Sequence, residues 1–248
     1  MDDATAHALN ALNLAFYRER ADEFDAARQR PWRGWSQLGA LLRERGGARD
    51  LDVLDAGCGN GRLGAFLAAE GHPARRYLGI DASPELLAHA RARALPGAEY
   101  RVADLVAGDP EQALPPGPFS LVALFGVLHH VPSQARRRAL LAALQGRVAP
   151  EGLLVFSAWQ ADAVGRSEPR RVAWEEWEPA SAVDPAQLEP GDCLLAWGAG
   201  RDAVRYCHFA DDPELAGLLA GLAGRQVAAW SGDDGRGWRN RYFALARA

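Results

Sequence analysis

Short apolar runs alternate with segments of helical periodicity through the middle of the chain. Each run is too short for a helix and is bounded by glycine, proline or an acid, as expected of a buried strand. The strands predicted in this way are 51–55, 77–81, 99–103, 119–125 and 153–157. The helices predicted between them are 61–70, 84–94 and 133–147. This alternation predicts an α/β fold with a parallel sheet covered by helices on both faces.

A segment with helical periodicity precedes the first predicted strand. Leu9, Leu12 and Phe16 recur at helical spacing, and Pro31 is suited to the first turn of a further helix. The α/β core does not need residues 3–45, so we expect this segment to cap a ligand site.

The chain changes character after the fifth predicted strand. Residues 160–190 contain prolines, acids and tryptophans without a persistent period, which predicts a mobile or disordered excursion. The elements predicted beyond it are a hairpin at 192–197 and 203–209, a helix at 213–222, and strands at 226–230 and 239–245. We therefore expect one domain, made of a helical cap (1–48), a core (49–159), a lid and hairpin insertion (160–210), and a C-terminal helix with two strands (211–248).

A glycine-rich turn follows the first predicted strand. Asp55 ends the strand, and Gly57, Gly59 and Gly61 follow at alternate positions. Glycines let a backbone approach a ligand closely, and such a turn directs backbone N–H groups at it. The Gly-x-Gly-x-Gly spacing differs from the Gly-x-Gly-x-x-Gly pattern of dinucleotide sites.

The next two predicted strands also end in acids. Asp81 can accept hydrogen bonds from both hydroxyls of a ribose, and Asp104 is suited to an adenine amino group. This succession resembles the Rossmann-like S-adenosylmethionine-dependent methyltransferases. The resemblance implies S-adenosyl-L-methionine as cofactor and a seven-stranded sheet whose last strand is antiparallel. It implies cofactor contacts from Asp55, Gly57, Gly59, Gly61, Asp81, Ala82, Asp104, Leu105 and Phe125.

Two further positions are candidates for contacts near the reacting methyl group. Arg28 could hold the methionine carboxylate of the cofactor, or a substrate anion, in a bidentate pair. It could equally lie on a solvated helix face. After the fourth strand, His129 or His130 could orient the methyl acceptor, with a packing or capping role as the alternative.

Composition narrows the class of protein. In 248 residues, 48% are hydrophobic, which suffices for a full core. No apolar run approaches the roughly 20 residues that span a bilayer, and the acidic N-terminus does not resemble a signal peptide. The three scattered cysteines predict a reducing cytoplasm and no metal cluster.

All 28 basic residues are arginine, which excludes Schiff-base chemistry. The net charge of −4 argues against wide, nonspecific nucleic-acid binding.

Motifs outside the core suggest a narrower family. These are Phe-x-x-x-Arg-x-x-Pro-Trp at 24–32, Leu-His-His at 128–130, Gly-Asp-x-Leu-x-x-Trp at 191–197 and Arg-Tyr-x-His-Phe at 205–209. Together they resemble the tRNA methyltransferases that esterify 5-carboxymethyluridine at the wobble position, including the methyltransferase domain of the eukaryotic AlkB-homologue enzyme. The resemblance implies tRNA as substrate and, as in eukaryotic relatives, a small activating partner protein.

The chemistry that this resemblance implies is methyl esterification. A carboxylate is already an anion at neutral pH, so its methylation needs no strong general base. Arg205, Tyr206 and His208 on the predicted hairpin could orient it, or could only hold the hairpin on the core. Strand alternation places the side chains of 205 and 207 opposite those of 206 and 208.

Three functions follow as alternatives. The hairpin motif favours a tRNA methyltransferase, and the acidic net charge favours a methyltransferase of a small-molecule carboxylate or hydroxyl. A non-catalytic, cofactor-binding partner subunit is the third. The complete set of glycines and acids argues against it.

Overall fold

The computed structural model describes residues 1–46, 51–161, 170–177, 183–198, 200–233 and 238–247. Its helices are α1 (Asp3–Glu19), α2 (Ala21–Ala27), α3 (Trp35–Glu44), α4 (Arg62–Ala69), α5 (Pro84–Ala92), α6 (Pro110–Ala113), α7 (Gln134–Gly146) and α8 (Asp212–Ala220). Its strands are β1 (Leu51–Ala56), β2 (Ala74–Asp81), β3 (Ala98–Val102), β4 (Phe119–Leu124), β5 (Val148–Ala161), β6 (Arg171–Val172), β7 (Asp192–Trp197), β8 (Ala203–His208), β9 (Arg225–Asp233) and β10 (Trp238–Ala246).

Seven strands form the main sheet, in the order β3-β2-β1-β4-β5-β10-β9. The first five pair in parallel, and β10 pairs antiparallel with both of its neighbours. The predicted Rossmann-like fold and its antiparallel last strand are thereby confirmed.

Helices cover both faces of this sheet because successive strand residues point to opposite sides. Val53 packs into a core with α3 and α4, whereas Leu54 packs into a second core with α7 and α8. Both side chains are fully buried. Leu51 and Val53 of β1 pack on one face and Leu54 and Ala56 on the other, as expected of a strand covered on both faces.

A smaller sheet lies outside the main one. β7 and β8 pair antiparallel as the predicted hairpin, and β6 pairs with β7 at its other edge. The described part of the excursion predicted at 160–190 is therefore packed structure, which corrects the expectation of disorder. The reason is its apolar content: Val183 is 5% exposed and joins a core cluster with Leu9 of α1, and Trp174 and Trp177 pack against that cluster. Residues 162–169 and 178–182 of this segment lie outside the described residues.

The N-terminal segment forms three helices, as its periodicity predicted. The Asp2 side chain caps α1 by accepting a hydrogen bond from the Thr5 amide at 2.8 Å. Pro31 precedes α3 and does not lie in its first turn, since that helix begins at Trp35. Within the described ranges, none of the helices has the length and apolar character needed to cross a membrane.

Candidate active site

A cavity of about 380 Å³ opens at the carboxyl ends of the parallel strands, under α1. Its volume is in the range of small-molecule sites, and its position is that of ligands in open α/β sheets. Its walls include Asn10, Asn13, Tyr17, Phe24, Trp32, Asp55, Gly57, Gly59, Arg62, Asp81, Ala82, Asp104, Leu105, Phe125, Gly126 and His130.

Gly57 and Gly59 of the glycine turn line this cavity, whereas Gly61 packs against Ala90 and Tyr100 and does not line it. Gly57, Gly59 and Gly61 all have positive φ angles, of 71°, 52° and 74°. A Cβ at Gly57 would lie 2.0 Å from the Val127 side chain, so this position has no room for another residue. The turn thus places bare backbone against the cavity at Gly57 and Gly59.

The two strand-terminal acids lie at neighbouring positions along the wall. Asp81 accepts hydrogen bonds from the amides of Gly59, at 2.8 Å, and Ser83, at 2.9 Å. Asp104 accepts from the Val106 amide at 2.8 Å and from the Asn10 side chain at 2.8 Å. The bond to Asn10 connects α1 to the end of the cavity where we expect the adenine.

Asp55 is a buried acid with a perturbed pKa. It is 3% exposed and accepts a hydrogen bond from the Tyr77 hydroxyl. Burial raises the pKa of Asp55 to about 7, although the Tyr77 hydrogen bond opposes this.

The two arginines near the cofactor's predicted amino-acid end are placed differently. Arg62, which we did not predict from the sequence, lines the cavity and is 9% exposed. Arg28 does not line it; its guanidinium lies 5.7 Å from the Phe24 ring and 5.6 Å from the Trp197 ring. The sequence could have indicated Arg62 as a site residue, because it follows Gly61 of the glycine turn directly, at the start of α4.

Tyr17 and His130 line the cavity and belong to a hydrogen-bonded chain. The Tyr17 hydroxyl lies 2.8 Å from Nε2 of His130 and accepts a hydrogen bond from Arg205 at 3.2 Å. Nδ1 of His130 lies 2.9 Å from the carbonyl oxygen of Tyr206. This chain indicates that Nδ1 carries the ring proton and that Tyr17 donates to Nε2. Burial, followed by the charge of Arg205, lowers the pKa of His130 to about 3, so the ring is neutral.

Arg205 does not line the cavity and is connected to it by its hydrogen bond to Tyr17. Its guanidinium lies 5.4 Å from the Phe16 ring, 5.5 Å from Trp159 and 5.1 Å from Trp197. The residue is 4% exposed and has no ion-pair partner among the described residues.

His129 lies behind the cavity wall. Its ring stacks on Trp159 with centroids 3.5 Å apart, and it is not among the lining residues. Of the two adjacent histidines, His130 is therefore the one that faces the cavity.

Tyr206 and His208 lie in a separate polar cluster, away from the cavity. Asp192 accepts a hydrogen bond from the Tyr206 hydroxyl at 2.7 Å and lies 2.7 Å from Nδ1 of His208. Nε2 of His208 lies 2.7 Å from Glu214, and Glu214 pairs with Arg137. Burial opposes the charge on His208, but the hydrogen bonds to Asp192 and Glu214 raise its pKa. The alternation along β8 directs these two buried side chains away from the cavity and Arg205 towards Tyr17, so the expected contact of Tyr206 and His208 with an acceptor is not seen.

Comparisons with known proteins agree with this geometry. The family model described as "Methyltransferase domain" matches residues 54–154. A methyltransferase of Encephalitozoon cuniculi is 29% identical over 78% of each chain. The trans-aconitate 2-methyltransferase of Shigella flexneri is 33% identical over 73% of this chain and 69% of its own. A solved structure described as the DhpI–SAM–HEP complex is 25% identical, with a TM-score of 0.65 over 98% of this chain and 100% of that one.

The fold and the site define a Rossmann-like enzyme that uses a nucleoside cofactor. The chain belongs to the S-adenosylmethionine-dependent methyltransferases. The predicted class, fold, cofactor and enzymatic nature are confirmed. The narrower resemblance to the tRNA enzymes stays a prediction.

Proposed function

We propose that this methyltransferase esterifies a carboxylate of a small molecule. The observation that carries the proposal is the neutral His130 at the cavity wall, with its pKa near 3. A hydroxyl acceptor needs a base with a pKa near the working pH, and His130 cannot act as one. A carboxylate acceptor needs none, because it is already ionised. Asp55, the wall carboxyl whose pKa is raised to about 7, is already engaged by a hydrogen bond from the Tyr77 hydroxyl.

The chain of Arg205, Tyr17 and His130 is suited to holding an anion. The Tyr17 hydroxyl donates to His130 and can turn to donate to an acceptor oxygen in the cavity. Arg205 holds the Tyr17 oxygen and adds positive charge at a distance. Because the guanidinium does not line the cavity, it favours an anion without neutralising the nucleophile.

The reaction then needs no proton transfer. A carboxylate oxygen attacks the sulfonium methyl carbon while the carbon–sulfur bond breaks and its electron pair remains on sulfur. The products are a methyl ester and S-adenosylhomocysteine. The chain's own contribution is alignment and exclusion of water under α1.

Two further findings favour a small molecule over tRNA. Trans-aconitate, which the Shigella flexneri relative's name gives as its acceptor, is a carboxylate. The hairpin residues Tyr206 and His208, on which the tRNA resemblance depended, are engaged in the cluster with Asp192 and Glu214.

Methyl transfer from labelled cofactor tests the proposal. We would supply a panel of small carboxylates, a panel of phenols, and bulk tRNA, and then treat each product with mild alkali. Alkali releases the label of a methyl ester as volatile methanol and leaves an ether intact. We expect alkali-labile label on a small carboxylate. Alkali-stable label, or label on tRNA alone, would contradict the proposal.

A pair of matched variants locates the acceptor. Tyr17→Phe and Tyr206→Phe each remove one hydrogen-bonded hydroxyl, but only Tyr17 lines the cavity. We expect Tyr17→Phe to lower kcat/KM about 10- to 100-fold, the effect of one hydrogen bond to a charged group. Tyr206→Phe should keep the kcat/KM of the wild type.

A further inference from the structure

Arg62 is a buried cation in the cavity wall without a countercharge in contact. Its Nε donates to the Asn60 side chain at 3.1 Å, and its Nη1 donates to the Arg30 carbonyl oxygen at 2.9 Å. Both acceptors are neutral. Among the described residues, no carboxylate forms an ion pair with it, and Nη2 has no hydrogen-bond partner.

The surroundings hold this guanidinium in place. Its central carbon lies 5.8 Å from the Trp32 ring and 5.6 Å from the Trp35 ring. Burial, together with the nearby charges of Arg28 and Arg93, lowers the pKa of Arg62 to about 10, although the charges of Asp55 and Asp25, which are not in contact with it, oppose this. An unpaired buried cation is costly, and an anion in the cavity would remove that cost.

The position of Arg62 along the cavity identifies the anion. Asp104 and Asp81 follow β3 and β2, so the adenosine end lies over those strands. Arg62 packs on Trp32, and Trp32 covers Gly126 after β4, where a Cβ would lie 2.7 Å from the Trp32 ring. Arg62 is therefore at the far end from the adenosine acids, where the amino-acid part of the cofactor belongs.

We infer that Arg62 binds the carboxylate of the amino-acid part of S-adenosylmethionine. Asp55 lines the same cavity, and an ammonium group beside it would favour its ionised form, because burial raises its pKa to about 7. A cation and an anion on one wall match the zwitterion of the methionine moiety, whose carboxylate Arg62 would bind through Nη2. This assigns to Arg62 the contact that we had considered for Arg28.

Two cofactor fragments test the inference without catalysis. S-adenosylhomocysteine carries the amino-acid carboxylate, and 5′-methylthioadenosine lacks it. We expect Arg62→Met to weaken S-adenosylhomocysteine about 10- to 100-fold by calorimetry, the loss of one charge-assisted pair. Binding of 5′-methylthioadenosine should be unchanged, which also shows that the variant is folded. Arg28→Met, the matched control, should leave both affinities unchanged.

Other outcomes would overturn the inference. If Arg62→Met weakens both ligands equally, Arg62 only shapes the cavity. If it leaves both affinities unchanged and raises the KM of the acceptor, Arg62 binds the acceptor anion. If Arg28→Met selectively weakens S-adenosylhomocysteine while Arg62→Met does not, Arg28 holds the carboxylate.

Discussion

Asp81 shows how one side chain connects the glycine turn to the cofactor. It accepts backbone hydrogen bonds from Gly59 and Ser83 and still faces the cavity. We expect Asp81→Ala to weaken S-adenosylhomocysteine by about 1–3 kcal/mol, the cost of leaving buried polar partners unpaired. Calorimetry measures this, with Glu99→Ala, an exposed acid on β3, as the control. Unchanged affinity in Asp81→Ala would remove this residue from the ribose site.

Asp55 should make stability depend on pH. Its pKa rises from 3.8 to about 7 on folding, so the native state binds more protons than the unfolded state between these values. Stability then falls as pH rises through this window, by up to about 4 kcal/mol. Other buried groups such as His130 titrate in both proteins, so the test is the difference in urea-unfolding free energy between the wild type and Asp55→Asn, which should fall by this amount from about pH 4 to about pH 8. The corresponding difference for Asp52→Asn, on the same strand and paired with Arg75 at the surface, should not fall in this way.

Residues close in sequence could be assigned to the site, and residues brought together by folding could not. The glycines and the acids at strand ends follow one another in a fixed order, so their common edge was predictable. The contact of Tyr17 with His130 joins residues 113 positions apart, and that with Arg205 joins residues 188 apart. The periodicity of a local segment does not indicate contacts between residues so far apart in sequence.

At the scale of elements, a buried ion cluster holds the small sheet on the core. Arg137 on α7 pairs with Glu189 at 2.6 Å and with Glu214 on α8 at 2.7 Å, and its side chain is 1% exposed. Removing one partner of a buried pair leaves uncompensated charge. We expect Arg137→Met to destabilise the fold by about 3–5 kcal/mol in urea unfolding.

The neighbouring residue provides the control. Arg138 follows on the same helix and is exposed, so Arg138→Met should change stability by less than about 0.5 kcal/mol. Equal effects of the two variants would show that helix propensity, and not the ion cluster, sets the loss.

The elements themselves were more predictable than their packing. Every strand of the main sheet and both strands of the hairpin overlap a strand predicted from the sequence. The prediction of disorder at 160–190 was wrong for the described residues, because the prolines and acids there interrupt the pattern of the apolar residues that pack the segment. The sequence also did not show which side chains of β8 face the cavity site. Alternation places neighbouring side chains on opposite faces of the strand but does not say which face is turned to the site.

At the scale of the whole molecule, α1 joins the two sheets around the cofactor. Its Asn10 bonds Asp104 in the main sheet's site, and its Asn13 accepts from the Tyr206 amide of the hairpin at 2.9 Å. Tyr17 adds the contacts to His130 and Arg205. A ligand under α1 therefore stabilises both sheets together.

This coupling predicts a single unfolding transition that the cofactor product moves as a whole. S-adenosylhomocysteine at about 100 times its Kd adds about 2.7 kcal/mol. For a chain of 248 residues that raises Tm by about 5–11 °C, because each kcal/mol moves Tm by about 2–4 °C at this size. Scanning calorimetry should show one endotherm that shifts with S-adenosylhomocysteine and stays in place with NAD. Two endotherms, one of which does not shift with S-adenosylhomocysteine, would contradict this prediction. The hairpin sheet would then unfold independently of the cofactor site, and α1 would not couple the two sheets.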